Sequence, residues 1–163
     1  MRTDDHPREA VIVQAIRTPL CRARKGELAK VPPSALLASV LHGVLMKEPN
    51  LSKADADKED YLIEPNSVQD ICVGNVLSPP TAAVSFRMAA LASGIPHTTS
   101  LSTTNRQCSS GLQAIANIAF AIQSGSINIG IGEKREVLEP QYGYMLKLYF
   151  SLNTFSVFLQ ALE

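Results

Sequence analysis

The chain has no net charge: 15 lysines and arginines are balanced by 15 aspartates and glutamates across 163 residues, and the pI lies near 6.8. No overall field therefore draws it to nucleic acid or to an anionic membrane. It also lacks a long hydrophobic run. The longest, around Ile118-Ala119-Phe120-Ala121-Ile122, falls far short of the roughly 18 to 20 apolar residues that span a bilayer. Cysteine is scarce. Cys21, Cys72 and Cys108 cannot all pair, and none stands in a CxxC or Cys/His ligand spacing, so the expectation is a reducing compartment with no structural zinc or other metal. The charged segment 1–9 has no apolar stretch of the secretory kind, and Ala161-Leu162-Glu163 is not a peroxisomal tripeptide; no targeting signal is legible. A hydrophobic share of 45% against 18% charged residues excludes a disordered chain. The length suits one α/β domain and not two.

What charge there is lies unevenly. Of the 45 residues from Met88 to Gly132 only Arg106 is charged, so this stretch is expected inside. Ala10-Val11-Ile12-Val13-Gln14-Ala15-Ile16 reads as a strand covered on both faces. A basic loop with Arg22, Arg24, Lys25 and Gly26 follows, read as solvated with a phosphate contact as the lesser alternative. Pro32-Pro33-Ser34 opens a helix with Ser34 as its cap, and Leu36, Leu37, Val40, Leu41, Val44 and Leu45 form its apolar stripe. The acidic segment 50–66 lacks the glycine and the bidentate Glu of a calcium loop and reads as a solvated loop. A second strand is expected over 68–73, a second helix over 82–92, a third strand over 100–104, and a third helix over about 109–124 that is buried nearly all round. Ile127-Asn128-Ile129-Gly130-Ile131 alternates as a fourth strand. This βαβαβαβ order predicts a mainly parallel sheet with helical layers. Six of the nine Phe and Tyr residues fall in the last 31 positions, so 133–163 reads as a divergent aromatic-rich tail holding at most one helix or strand between Tyr144 and Leu162.

Cys108 stands between the third strand and its helix, in Asn105-Arg106-Gln107-Cys108-Ser109-Ser110-Gly111-Leu112. A helix start offers unpaired N–H groups and the positive end of the macrodipole, which favour a thiolate, and Arg106 adds positive charge nearby. A sharp strand-to-helix turn also exposes its side chain, as in a nucleophile elbow, and Gly111 suits close backbone approach. The alternative is a buried, inert thiol, as most free cysteines are. Cys72 reads as packing within Ile71-Cys72-Val73, and Cys21 as an incidental loop thiol. His42 reads as structural. His97 precedes the third strand and so lies at the end opposite Cys108, unsuited to act as its base.

The segment from Asn105 through Gly111 to Ile115 resembles the nucleophilic-cysteine motif of thiolases, in particular the peroxisomal type of 3-ketoacyl-CoA thiolase. Ala15-Ile16-Arg17-Thr18-Pro19, Asp70-Ile71-Cys72-Val73-Gly74-Asn75-Val76-Leu77 and Phe86-Arg87-Met88-Ala89-Ala90-Leu91-Ala92-Ser93-Gly94-Ile95-Pro96 are similar to that family in the same order. The resemblance implies an α/β fold, the N-terminal half of a layered α-β-α-β-α architecture built from two similar halves. On it, 9–132 is an incomplete thiolase N-terminal domain. It implies thiolytic cleavage of 3-ketoacyl-CoA in fatty-acid β-oxidation, with Cys108 as the acyl-accepting nucleophile, coenzyme A as substrate and no cofactor. No substrate-binding residue is assigned. It implies a homodimer or pairing with a full-length thiolase, and a peroxisomal location, with the cytoplasm as the alternative. The match has departures: Thr104 replaces an aliphatic residue, Glu133-Lys134-Arg135-Glu136 replaces a small-residue and Glu-Ser-Met segment, and the Gly-His-Pro motif and later acid–base cysteine are absent. A truncated, inactive fragment serving as an interaction partner is therefore the alternative function. A ketoacyl condensing enzyme is a further one, which the cysteine context disfavours.

Overall fold

The computed structural model describes residues 8–19, 21–22, 25–47, 61–79, 81–136 and 153–161. Among them lie strands β1 (Ala10–Arg17), β2 (Asp70–Asn75), β3 (Ser100–Thr104), β4 (Ile129–Glu136) and β5 (Asn153–Ala161), and helices α1 (Pro33–Leu45), α2 (Ala82–Ala92) and α3 (Ser110–Gln123). The strands form one sheet in the order β1-β5-β4-β2-β3. β2 pairs in parallel with β3 and with β4, whereas β5 is antiparallel to both β1 and β4. It follows that the four strands expected from the sequence all run in one direction and that β5 alone opposes them. The sheet is mixed, and the element expected between Tyr144 and Leu162 is a strand near its middle.

Alternation along the strands divides the core in two. Ile71, Val73 and Ile131 face α1 and α2, where they pack with Leu37, Leu41, Val44, Leu45, Phe86, Ala89 and Ala90. Cys72, Val157, Leu159 and Ala161 face the other way and pack with Ala114, Ile118 and Ile122 of α3. The domain is thus three layers: two helices, the sheet, and one helix. All six residues of the predicted α1 stripe are buried. Burying side chains of this kind contributes roughly 1.5–3 kcal/mol each before the cost of ordering the chain.

Helix ends follow local chemistry. Pro33 occupies the first position of α1 and Pro32 its cap, with no side-chain capping bond. Ser34 is therefore inside the helix and does not cap it, because proline, which has no N–H to satisfy, takes the entry position. At the other end of α2, Gly94 adopts φ +89°, its N–H donates to the Leu91 carbonyl and that of Ile95 to the Ala90 carbonyl. α3 closes the same way, with Gly125 at φ +77° and the N–H groups of Gly125 and Ser126 donating to Ile122 and Ala121. A left-handed residue at this point favours glycine.

Three expectations change. Among the described residues β1 is an edge strand, paired only with β5, and Ile12 and Val13 are exposed. Its apolar sequence does not mean cover on both faces here. α3 is not buried all round: Ser110, Gly111, Ala114, Ile118 and Ile122 are buried, while Leu112 and Phe120 are 72% and 62% exposed. The reason is steric. A Cβ on Gly74 would lie 2.5 Å from the Ser110 backbone, and one on Gly132 would lie 2.7 Å from Ile115 Cα. These glycines let α3 sit directly on β2 and β4, and that seat fixes which side of the helix faces down. The low-charge stretch is likewise only partly inside, since Met88 and Leu91 are also exposed. Residues 50–60 of the acidic segment and Arg24 of the basic loop lie outside the described residues, whereas Arg22 and Lys25 are exposed.

Gly132→Ala is expected to lower stability by about 1–3 kcal/mol, the usual cost of overpacking a filled core. Thermal unfolding followed by far-UV circular dichroism measures it, and an unchanged midpoint would mean that α3 does not depend on this seat.

Candidate active site

The sheet and α3 together hold a tight turn, Asn105 to Ser109, at the C-terminal end of β3. Gln107 has φ +53°, a left-handed conformation that is uncommon for a residue with a side chain. Side chains stabilise it. Asn105 Oδ1 accepts the Gln107 N–H at 2.9 Å, while Asn105 Nδ2 donates to the Val76 carbonyl at 3.4 Å, tying the turn to the loop after β2. Ser110, fully buried, accepts the Arg106 N–H at 2.9 Å and donates its hydroxyl to the Gln107 carbonyl at 2.6 Å. The N–H groups of Ser109 and Ser110 donate to the carbonyls of Arg106 and Gln107 at 3.1 and 3.0 Å.

The outcome is that Cys108 is exposed, one residue before the cap of α3, whereas Cys72 is buried and Cys21 intermediate. Of the two readings of Cys108, the buried thiol is excluded. The Arg106 guanidinium donates to Gln113 Oε1 at 2.7 Å, and Gln113 Nε2 donates to Asn117 Oδ1 at 2.7 Å. Arg106 thus lies along the first turns of α3 and adds to the positive end of that helix. Asn117 Nδ2 in turn donates to the Cys72 sulfur at 3.6 Å, which gives Cys72 a packing and hydrogen-bonding role within the core.

The histidines are elsewhere. His42 is exposed on α1, and His97 is exposed before β3. The five residues of β3 separate His97 from Cys108 by roughly 15 Å of strand, as expected for the opposite end. His6 lies outside the described residues. Among the described residues no group of three or more His, Cys, Asp or Glu is placed to hold a metal ion, and no helix is long and apolar enough to cross a membrane. Glu133, the first residue of the segment that departs from the family pattern, is fully buried in β4.

Gly74, Asn105 and Ser110 stand in the segments that carry the resemblance but, like Gly132, have no individual role legible in the sequence, where close approach was expected at Gly111. A signal existed for the glycines: Gly74 follows directly on the apolar run Ile71-Cys72-Val73 within β2, and a strand glycine marks a close backbone approach. The serine and asparagine carry no comparable mark, because both residue types are common in any turn.

The fold and site define a three-layer α/β/α domain that exposes a cysteine on a strand-to-helix turn. Residues 10–138 match the family model for the thiolase N-terminal domain, and the chain belongs to the thiolase family. It is 46% identical over 123 residues to the mouse protein "3-ketoacyl-CoA thiolase A, peroxisomal", covering 76% of this chain and 26% of that one. It superposes on the crystal structure of the dimeric peroxisomal thiolase of Saccharomyces cerevisiae with a TM-score of 0.70 at 33% identity, covering 90% of this chain and 35% of that one. A second structure of the yeast peroxisomal 3-ketoacyl-CoA thiolase gives a TM-score of 0.70 at 31% identity, covering 90% and 40%, and is described as five α-β-α-β-α layers constructed from two core domains of identical topology. The chain spans about a quarter of the length of the curated relatives it matches.

Ser110→Ala is expected to cost about 1–3 kcal/mol, because it strips the partly buried Arg106 N–H of its acceptor and the Gln107 carbonyl of a donor, and Ser110→Thr, which keeps the hydroxyl, should retain more of that stability. Urea titration of the three proteins measures this, and equal midpoints for serine and alanine would remove Ser110 from the turn's support. With iodoacetamide, Cys108 should be modified in the native protein while Cys72 is protected until unfolding. Peptide mapping by mass spectrometry reads the order, and the reverse order would contradict the geometry.

Proposed function

We propose that this chain is the nucleophile-bearing core of a thiolase-type acyltransferase that acts on 3-ketoacyl-CoA, with Cys108 as the acyl acceptor. The observation that carries this is the exposed Cys108 at the start of α3, held by a left-handed Gln107 and a buried Ser110, within the region that matches the family. In the reaction, the Cys108 thiolate adds to the 3-keto carbon, and the bond between C2 and C3 breaks. The C2 carbanion takes a proton and leaves as acetyl-CoA, while the shortened acyl group remains on sulfur as a thioester. The thiol of free coenzyme A then attacks that thioester, releases acyl-CoA and restores Cys108. Covalent storage divides one difficult cleavage into two easier acyl transfers. Backbone N–H groups at the start of α3 that the turn's own hydrogen bonds do not take are the candidate donors to an oxyanion formed at the attacked carbon.

Proton transfer is a separate requirement. The chain contains no Gly-His-Pro motif, and His97 lies at the far end of β3, so the groups that protonate the leaving carbanion and deprotonate coenzyme A come from outside the described site. Loss of such groups costs powers of ten in rate. The names of the relatives support a peroxisomal setting in fatty-acid β-oxidation. Because the yeast relative is dimeric, we read the chain as working in a pair, with itself or with a full-length thiolase. The second reading, an inactive fragment that serves only as an interaction partner, is favoured by the quarter-length coverage of the relatives.

The two readings part in one experiment. Mixed with 3-ketoacyl-CoA and quenched in acid, the protein should carry an acyl adduct on Cys108 in less than stoichiometric yield, absent from Cys108→Ala, with steady-state turnover at least a thousandfold below that of an intact thiolase. No adduct on Cys108 under any condition would sink the acyltransferase reading, and turnover equal to an intact thiolase would sink the need for outside proton-transfer groups.

A further inference from the structure

We propose that Gln113 and Asn117 are positioning residues that hold the Arg106 guanidinium, with its charge uncancelled, beside the Cys108 turn, so that the thiol selects anionic reaction partners over neutral ones of the same shape. The contacts form an unbroken series. The Arg106 guanidinium donates to Gln113 Oε1 at 2.7 Å, Gln113 Nε2 donates to Asn117 Oδ1 at 2.7 Å, and Asn117 Nδ2 donates to the Cys72 sulfur at 3.6 Å. Gln113 and Asn117 stand four residues apart and so share one side of α3. Cys72 is buried in β2, which fixes the far end of the series to the sheet. An untethered arginine on a surface samples many rotamers, whereas this one is tied at its tip to a group that the fold has already placed. Its main chain is tied as well, because the Arg106 N–H donates to the Ser110 hydroxyl.

The anchor is an amide, and that preserves the charge. A guanidinium placed by a carboxylate is neutralised by it, whereas one placed by an amide oxygen keeps its full charge. No carboxylate is at hand in this stretch: from Ile71 to Gly132, the span that holds α2, β3 and α3, the sequence has no Asp or Glu. The other arginine of that span, Arg87, donates to the carbonyls of His97 and Thr99 at the opposite end of β3. Arg106 therefore supplies the formal positive charge of the Cys108 turn, beside the partial charge at the start of α3. Arg106 lies two positions before Cys108 and Gln113 five positions after it, which puts the guanidinium within about 10 Å of the thiol, comparable to the Debye length at ~0.1 M salt. At about 8 Å a unit charge favours the approach of an anion roughly twofold in a water-like medium, and more where protein displaces water. Coenzyme A and its thioesters carry phosphates, so the partners of the proposed reaction are of the favoured class.

This rests on the reading of Cys108 as the nucleophile, and its test follows alkylation instead of acyl transfer, so a missing acyl adduct and a missing charge effect are separate results. The full chain is alkylated with iodoacetate, an anion, and with iodoacetamide, its neutral counterpart, at about 10 mM ionic strength, where screening is weak, and the rate at Cys108 is read by peptide mapping. The ratio of the two rate constants cancels any change in thiolate fraction or exposure, which a merely structural change would also move. Arg106→Gln should lower that ratio at least twofold, Arg106→Lys should keep most of it, and Gln113→Leu should lower it although Arg106 is intact. Arg8→Gln removes the same charge beside Asn128, at the other end of a helix roughly 21 Å long, and should change the ratio by less than half as much. Should Gln113→Leu fail to fold, Asn117→Leu takes its place, with a fall in the same direction. An equal ratio in the parent chain and in Arg106→Gln, or an equal fall in Arg8→Gln, would overturn the role of the charge. An unchanged ratio in folded Gln113→Leu, or in Asn117→Leu where that replaces it, would overturn the positioning.

Discussion

The structure depends on how closely one helix approaches the sheet. α3 lies with the Ser110 backbone over Gly74 and with Ile115 over Gly132, at distances where any Cβ would collide. That contact decides the rest. It turns Ala114, Ile118 and Ile122 toward Cys72 and β5, leaves Leu112 and Phe120 outside, and brings the first turn of the helix down to the end of β3. The short link between β3 and α3 must then reverse within five residues. It does so through a left-handed Gln107, with Asn105 and Ser110 supplying the hydrogen bonds that offset the strain. Cys108 is exposed as a consequence of this reversal.

The same seat links the two faces of the argument about function. On the proposed chemistry a thiol at a helix start needs a fixed helix end, since N–H groups that would hold an oxyanion must keep their direction. Here the fixing comes from the sheet below, which is remote in sequence, and from the buried Ser110 hydroxyl within the cysteine's own segment. β5 contributes at a distance. By pairing with β1 and β4 it supplies Val157, Leu159 and Ala161 to the core beneath α3. Residues 10–138 match the family model, and 90% coverage of the chain by the yeast structure reaches beyond them. The fold match therefore continues into residues past the family-model match.

Much of this was legible in the sequence where local signals and tertiary packing agree. α2 and β3 have the bounds expected for them, 82–92 and 100–104, because a run of alanines around Phe86 ends in Ser93-Gly94 and a β-prone run of Ser, Leu and Thr follows. The α1 stripe was legible because one face of it is covered and the other is solvated, so period and burial coincide. The rotation of α3 was not, since apolar residues surround the whole helix and hydropathy cannot choose among them. Gly74 and Gly132 make that choice, and the sequence reveals them only as strand glycines. The edge position of β1 was hidden for a related reason: apolar strands look alike whether their second face is covered by the same domain or by another surface. Cys108 was legible as an exposed thiol from its strand-to-helix setting, whereas the roles of Asn105 and Ser110 appear only once the turn's geometry is known.

If the seat of α3 sets the chemistry of the cysteine, disturbing the seat must be felt at the thiol. The direct measurement is the second-order rate constant for alkylation of Cys108, followed by mass spectrometry in the folded chain, in Gly74→Ala and in a synthetic peptide covering 103–113. The native protein should react faster than the peptide, and folded Gly74→Ala should fall toward the peptide's rate, because helix-start thiols owe their reactivity to fixed N–H groups and the dipole behind them. Equal rates in all three would contradict the account and leave Cys108 an exposed thiol that the fold does not activate.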